Sequence, residues 1–276
     1  MSKKYKLNLR PKAVIGAALF IAGLSSTAPS VCWGHGEDES SAEETSNDVH
    51  PLTGHHLMTH PFLVHMGLPD EPGESSLRVT QIERAGALGK GSDQAIHIEA
   101  GLAERLGIHL RNDAISGNAM GDADGMHEEH GTELMVMYSL IENLDKTRGV
   151  SFFGEVAWPT MKGDGPSVRG AAGLGGTYLF GDRVILDAIV HADPSTGDLE
   201  IEYEASVRCR LIRRFFAILE NQGSFGGNGE SKHYLMPAVK LALGKTPATV
   251  GLGVQFPTSK GREFDRQTLF QLEIGF

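Results

Sequence analysis

The chain has 276 residues, of which 40% are hydrophobic, and a formal net charge of −10. This length allows one large domain or two small ones. The acidic balance argues against nucleic acid as a partner, and the two cysteines exclude a disulfide-built scaffold or a cysteine-rich zinc module. No apolar run reaches the roughly 18 residues that a membrane helix needs, so the sequence excludes a helical membrane protein.

The first 34 residues have the layout of a secretory signal peptide. All five basic residues before Arg78 lie within the first twelve positions, and an apolar run from Ala13 to Leu24 follows them. Small residues come next and complete the three-part pattern of an exported chain. We therefore predict a signal peptide over residues 1–34. Removing its five basic residues from the total of 25 leaves 20 against 35 acidic ones, a net charge of −15 for the exported chain.

Residues 35–75 are predicted to form a disordered, acidic and histidine-rich periplasmic segment. Its first part, 35–50, has six acidic residues and no basic one, a composition typical of disorder. Imidazole is a common ligand for zinc, copper and nickel. The candidate metal ligands are His50, His55, His56, His60, His65, His127 and His130. Their irregular spacing implies no zinc-finger geometry, and a solvated tail without a specific role remains the alternative. The sequence requires no cofactor, and a divalent metal (copper, nickel or zinc) on this segment is its one candidate.

From residue 76 onward, apolar side chains recur at every second position. The clearest run extends from Leu199 to Leu211, where apolar residues occupy the odd positions and five charged residues and a serine the even ones. A helix would mix these two sets, whereas a strand places them on opposite faces. Thirteen residues is long for a strand of a soluble protein. The pattern therefore indicates long strands with one apolar and one polar face.

About twelve such segments follow one another along the chain. The predicted strands are 76–82, 94–102, 107–113, 132–141, 149–158, 168–180, 183–191, 199–210, 214–222, 233–243, 248–257 and 266–276. Short links alternate with longer ones, the first of the longer links being 83–93, as in outer-membrane barrels. A sheet in lipid must close on itself to pair every backbone amide. We therefore predict an all-β fold, a transmembrane antiparallel β-barrel over residues 76–276, in the outer membrane of a Gram-negative bacterium. A soluble sandwich or barrel is the competing architecture.

The inner face of this barrel is predicted to be strongly charged. The residues assigned to it include Arg111, Glu133, Glu155, Arg169, Asp187, Glu200, Glu202, Glu204, Arg208, Arg210 and Lys240. These side chains either line a path for cations or polar solutes or pair across a narrow lumen and fill it. Gly173, Gly175, Gly251 and Gly253 fall on the same face, where small residues allow tight curvature.

The sequence does not favour an enzyme. Twelve-stranded outer-membrane phospholipases are similar to this chain in size and inferred strand count, and their chemistry needs a serine and a histidine on the lipid-facing wall. Ser231 and His233 are the nearest match, but His233 lies at the start of its strand beside a long loop. A nucleotide-binding loop and a metalloprotease motif are both absent from the sequence.

The C-terminal sequence LGVQFPTSKGREFDRQTLFQLEIGF, residues 252–276, ends in a strand with a terminal phenylalanine. It resembles the signature by which outer-membrane barrels are recognised for assembly. It also resembles the end of the transporter-like barrels named for the meta-pathway of phenol degradation, with a similarity over about residues 76–276. That resemblance implies passage of hydrophobic or aromatic compounds. The histidine-rich leader departs from the simplest members and is similar to the leaders of outer-membrane copper-resistance proteins.

Three functions follow from these patterns. The first is an outer-membrane channel or transport component for small solutes, including hydrophobic or aromatic compounds. The second is a metal-binding outer-membrane protein of a copper, nickel or zinc resistance or transport system, and the third is a structural barrel without transport. The expected partners are outer-membrane lipid, the barrel-assembly machinery and a small-molecule or ion solute.

Overall fold

A computed structural model describes most of the chain beyond residue 59. The described residues are 60–86, 89–116, 131–143, 147–159, 168–181, 183–194, 199–212, 214–226, 231–244, 246–262 and 264–276. The predicted signal peptide and most of the predicted histidine-rich segment therefore lie outside them. The described residues contain no helix that could span a lipid bilayer.

Twelve strands form one closed antiparallel barrel, which confirms the predicted fold class. They are β1 (Ser75–Gly86), β2 (Gly89–Ala103), β3 (Leu106–Ser116), β4 (Gly131–Glu142), β5 (Arg148–Pro159), β6 (Arg169–Phe180), β7 (Val184–Asp193), β8 (Glu200–Ile212), β9 (Phe215–Phe225), β10 (Ser231–Ala242), β11 (Ala248–Pro257) and β12 (Arg266–Gly275). Each strand pairs with its neighbours in the chain, and β1 pairs with β12. Every strand thus has a partner on both sides, as a sheet in lipid requires.

The two faces of each strand differ in exposure because the side chains alternate between lumen and outer surface. In β4, Met135 and Met137 are buried, while Val136 and Tyr138 on the other face are 44% and 47% exposed. The same alternation puts large apolar side chains on the outside of most strands. A soluble protein rarely exposes so much continuous apolar surface, whereas hydrocarbon solvates it in a membrane barrel.

The two ends of the barrel differ in the length of their links. At the short-turn end, β2–β3, β6–β7 and β8–β9 are joined by two or three residues. Gly181 and Gly244 have φ values of +60° and +67° in turns at this end, a conformation that glycine adopts readily. Both ends of the barrel segment also meet here, since the Phe276 amide donates to the Ser75 carbonyl oxygen at 2.8 Å. We call the opposite end the long-loop end.

The predicted long link at 83–93 is wrong. β1 and β2 continue to Gly86 and from Gly89, so that two residues separate them. Polar side chains occupy both faces here, which hides the alternation in the sequence. Gln81 donates to Ser92 at 2.5 Å, and Arg84 forms an ion pair with Asp93. These hydrogen bonds and the cross-strand pairing extend the ladder without an apolar face.

Candidate functional site

Residues 60–70 (HPFLVHMGLPD), which we call the plug, lie inside the barrel. Residues 61–70 are all buried, and Phe62, Val64 and Leu68 have no exposed surface. This part of the predicted disordered segment is therefore ordered, because the barrel provides the burial that the isolated segment lacks. The chain then leaves the lumen at the short-turn end and enters β1 at Ser75.

The tip of the plug packs on an apolar patch of the barrel wall. Phe62 and Leu63 form one buried cluster with six lumen-facing residues: Ile82, Ala95, Ile218, Met236, Ala238 and Leu269. The ring of Phe62 also lies against Gly251, and the ammonium group of Lys240 is 4.9 Å from the ring centroid. The wall of the lumen thus has an apolar patch, and the ring of Phe62 packs against it.

Side chains of the barrel satisfy the main chain of the plug. The amides of Phe62, Leu63 and Val64 donate to the carboxylate of Glu220 at 2.5, 3.0 and 3.3 Å. The amide of Gly67 donates to Asp187 at 3.2 Å. Among the described residues, no hydrogen bond between main chains joins residues 60–70 to a strand. The plug is therefore held in the lumen without belonging to the sheet.

The carbonyl oxygens of the plug accept hydrogen bonds from the barrel in the same way. Lys240 Nζ donates to the carbonyl of His60 at 2.7 Å, and Arg78 Nη1 donates to that of Pro61 at 2.9 Å. Two further carbonyls accept hydrogen bonds from side chains, that of Phe62 from Gln271 at 3.1 Å and that of Gly67 from Ser151 at 2.7 Å. Since a buried polar group is costly without a partner, these lumen side chains match the plug and not an empty pore.

Glycine allows the plug to approach the wall closely. A Cβ atom at Gly67 would collide with the carbonyl of Gly176, and a Cβ atom at Gly101 would collide with the carbonyl of Glu71. A Cβ atom at Gly175 would likewise lie only 3.2 Å from the Cα atom of Gly67. The inward glycines were predicted to allow curvature, and for Gly175 and Gly251 the structure gives a second reason, which is room for the plug.

Three ion pairs are buried in the wall beside the plug. Arg78 pairs with Glu99 and Arg208 with Asp187, and all four side chains have at most 1% exposure. Lys240 pairs with Glu273 at 2.7 Å. Removing one member of such a pair leaves a buried charge without compensation. Because each charge has a partner of opposite sign, Arg78, Lys240 and Asp187 can be buried beside the plug and bind it with a smaller desolvation penalty.

His60 is the first residue of the plug and lies between Glu273 and Glu99 of the barrel wall. Its Nδ1 atom is 2.5 Å from Glu273 Oε1, and its Nε2 atom is 3.2 Å from Glu99 Oε2. Burial lowers the pKa of His60, but the charges of Glu273 and Glu99 outweigh that effect and raise it to about 10. The imidazole therefore binds a proton strongly in this position.

His65 lies on the opposite side of the lumen. Its main-chain amide and its Nδ1 atom are 2.9 and 3.1 Å from Glu204 Oε2, and its Nε2 atom is 3.6 Å from Glu133. The ring stacks on His109 with 5.7 Å between centroids. Burial lowers the pKa of His65, but the charge and hydrogen bond of Glu204 outweigh it and raise the pKa to about 9.

Comparisons with known proteins show the fold. A scan against protein-family models and a search of curated proteins both found no match. Among solved structures, the chain is similar to the KdgM porin, with 8% identity, a TM-score of 0.51 and coverage of 73% of this chain and 98% of that chain. The NanC porin has 9% identity and a TM-score of 0.53, and the match covers 71% of this chain and 97% of that chain. An outer membrane channel from Pseudomonas putida F1 has 12% identity and a TM-score of 0.52, and the match covers 76% of this chain and 98% of that chain. The fold is therefore the closed antiparallel barrel that these outer-membrane proteins share.

At identities of 8–12%, this similarity shows the fold but does not indicate which solute is transported. The fold and the apolar outer surface together support the predicted location in the outer membrane. The narrower resemblance, to the barrels of phenol degradation, has no counterpart in these comparisons.

The predicted metal ligands do not come together in the described part of the chain. His60 and His65 lie in the plug, where each contacts its own carboxylates. The other five candidates, His50, His55, His56, His127 and His130, lie outside the described residues. Their role remains a prediction. His233, considered for an enzyme site, is 3.0 Å from the Tyr203 hydroxyl through its Nδ1 atom.

The predicted lumen residues all lie on the inward faces of their strands. Asp187, Arg208 and Lys240 are buried beneath the plug, and Glu204 and Glu133 contact His65. Toward the long-loop end, His191 lies 3.8 Å from Glu155 and 3.4 Å from Glu202. The remaining members, Arg111, Arg169, Glu200 and Arg210, are partly buried on the same face. Whether any of them lines a solute path remains a prediction.

Sequence reasoning missed the plug and its main anchor. Glu220 was not among the predicted lumen residues, although it follows Phe216 and Ile218 on the inward face of β9. A signal was present in the apolar stretch Phe62–Val64, which interrupts an otherwise polar leader. Three consecutive apolar residues show neither helical nor strand periodicity. They therefore indicate a buried segment without indicating which part of the protein buries it.

Proposed function

We propose that this protein is an outer-membrane channel for small solutes that its own plug holds closed. The observation that carries the proposal is the manner in which residues 60–70 fill the lumen. Barrel side chains bind the plug, while the ladder of β1 to β12 closes without it. The plug can therefore leave the lumen with every pair of strands intact, which is the behaviour expected of a gate.

The preferred solutes in this proposal are small aromatic compounds. The apolar wall around Ile218, Met236 and Leu269 accommodates the ring of Phe62, with the Lys240 ammonium above it. A solute with an aromatic ring and a polar group would find the same contacts once the plug has left. This agrees with the resemblance to the barrels of phenol degradation.

Planar-bilayer conductance and liposome swelling test both parts. The wild-type chain should be nearly silent, and a Phe62→Ala/Leu63→Ala variant, which weakens the plug, should conduct. In swelling assays that variant should admit sodium phenylacetate faster than sodium hexanoate, which has the same charge and no ring. Equal rates would refute the aromatic preference, and a silent variant would refute the channel.

A structural barrel is the second candidate, because a filled lumen also suits a protein that conducts nothing. Its expected result is silence in every plug variant that retains the heat-modifiable gel mobility of a folded barrel.

Metal handling by the leader rests on the sequence of residues 35–59. It is tested by calorimetric titration of the full chain with copper, nickel and zinc.

A further inference from the structure

Three side chains meet where the two arms of the plug come together against β2. They are His60 and Asp70 at the two ends of the plug, and Glu99 on the barrel wall. His60 Nε2 lies 3.2 Å from Glu99 Oε2 and 3.5 Å from Asp70 Oδ1. One ligand atom from each residue lies within 4.8 Å of the other two.

Polar atoms in this cluster are buried and lack hydrogen bonds. Within the described part of the chain, His60 Nε2, Asp70 Oδ2 and Glu99 Oε2 have no hydrogen-bond partner. Glu99 is 1% exposed and Asp70 5%. Buried polar groups are nearly always satisfied in folded proteins, by protein, water or an ion. The unsatisfied atoms of three residues therefore point to a ligand-binding site between them.

The charges around the cluster call for a cation. Arg78 pairs with Glu99 through its other oxygen, and Lys240 pairs with Glu273. Of the described side chains, only His60 forms an ion-pair contact with Asp70. One buried carboxylate thus remains without a permanent positive partner, and a bound cation would compensate it.

We propose that His60, Asp70 and Glu99 bind a divalent first-row metal ion, with Zn²⁺ as the best match. One imidazole and two carboxylates form a donor set that zinc accepts, with water in the fourth position. Zinc lies about 2.0–2.2 Å from such ligands, which places tetrahedral ligand atoms roughly 3.3–3.5 Å apart. The separations of 3.2 and 3.5 Å from His60 Nε2 agree with this spacing.

The surroundings of His60 also suit a metal ligand. Its Nδ1 atom lies 2.5 Å from Glu273 Oε1, so that a proton on Nδ1 directs Nε2 toward Glu99 and Asp70. A carboxylate on the far nitrogen of a metal-bound histidine is the usual arrangement, since it fixes the tautomer and the ring orientation. Arg78 orients Glu99 through its other oxygen in the same way.

The ligands connect the plug to the barrel wall. A metal ion bound here stabilises the closed state, because the site exists only while the plug is in the lumen. This consequence rests on the proposed channel function, whereas the binding itself does not. A protein that binds zinc and never conducts would refute the channel and leave the metal site intact.

Zinc titration of the purified, folded full chain tests the site. The candidate ligands His50, His55, His56, His127 and His130, together with His35 of the same leader, are first replaced by glutamine, so that they contribute no binding. Zinc affinity is then measured at pH 8 by competition with a chromophoric chelator. We expect one zinc ion per chain, and an affinity at least ~10-fold weaker after His60→Gln or Asp70→Asn.

His233→Gln is the matched control, because it removes a histidine of β10 that contacts Tyr203 and lies outside both the plug and the cluster. It should bind zinc like the parent chain. Heat-modifiable gel mobility shows that each variant has formed the barrel, in whose sheet the plug takes no part. Absence of zinc binding by the parent means that a proton alone fills the cluster and overturns the proposal. Equal zinc affinity in the parent and the His60→Gln variant overturns it as well.

Discussion

Glu220, on the inward face of β9, accepts a hydrogen bond from the main-chain amide of Phe62 at 2.5 Å. The next two amides, of Leu63 and Val64, donate to the same carboxylate. One side chain of the barrel therefore fixes the tip of a segment that is outside the sheet. The closed state of the lumen should depend strongly on this carboxylate.

Glu220→Ala should open the channel. The substitution leaves buried amides without an acceptor, and each such group costs roughly 1–3 kcal/mol. A loss of about 1.4 kcal/mol already raises the open population tenfold. We expect at least a tenfold increase in the single-channel open probability, that is, the fraction of time for which the channel is open in a planar bilayer.

Two variants control for that result. Glu220→Gln keeps an oxygen acceptor and should give an intermediate open probability. Glu83→Gln changes a carboxylate near the long-loop end that contacts Gln81 and Ser92, and it should leave conductance as in the wild type. A Glu220→Ala variant that stays closed would show that Glu220 does not hold the plug.

Gly251→Ala should push the plug away from the wall. The new methyl group would collide with the Phe62 ring and lie 2.7 Å from Lys240 Cγ. Overpacking of this kind costs roughly 1–3 kcal/mol. Adding Phe62→Ala should recover part of the loss, so that the double-mutant cycle in thermal unfolding shows a coupling of the two sites.

Gly154→Ala is the control for this substitution, because a Cβ atom at Gly154 meets nothing within 4 Å. Its melting temperature should match the wild type. If Gly251→Ala and Phe62→Ala were simply additive, the two side chains would not be in contact.

The plug should bind more weakly as the pH rises from 6.5 to 9. The folded pKa of His65, about 9, lies above its ordinary value of 6.5. The proton on His65 therefore stabilises the closed state fully below pH 6.5, and this stabilisation is lost as the pH approaches 9. Single-channel open probability, measured in the presence of a chelator, should increase over this range.

The groups that face His65 are Glu204, Glu133, His109 and Arg111, from β8, β4 and β3. His65→Gln cannot take up the proton, so it should remove about half of the pH dependence between 6.5 and 9 and leave the part due to His60, whose pKa is also raised. A profile that is the same in the variant would assign the titration to another group.

The barrel itself could be predicted from the sequence because apolar side chains face the lipid and polar ones face the lumen, so that the two kinds alternate along each strand. The run from Leu199 to Leu211 shows this separation at every position, and all twelve strands were found. The first predicted strand ended four residues too early and the second began five residues too late, because polar residues such as Gln81 and Ser92 stand where apolar ones would continue the pattern. Beyond the membrane, a strand needs no alternation, and the periodicity then contains no signal.

The plug could not be predicted in the same way. Phe62 and Glu220 are 158 positions apart, and no local pattern relates them. His60 and His65 were singled out as metal ligands for their residue type, but their carboxylate partners come from four strands, β2, β4, β8 and β12. Their environment is a property of the closed barrel, which a single sequence does not show.

The occupation of the lumen by the plug is tested most directly by the accessibility of residue 64. Val64→Cys, in a chain with Cys32 and Cys209 changed to serine, is treated with a membrane-impermeant maleimide after insertion into liposomes. Val64 has no exposed surface, whereas Lys260 is exposed. We predict labelling of the Val64→Cys variant at least ~100-fold slower than of a Lys260→Cys variant, and fast labelling once Glu220→Ala is added. Equal labelling of residues 64 and 260 in the otherwise unchanged barrel would contradict a plugged lumen.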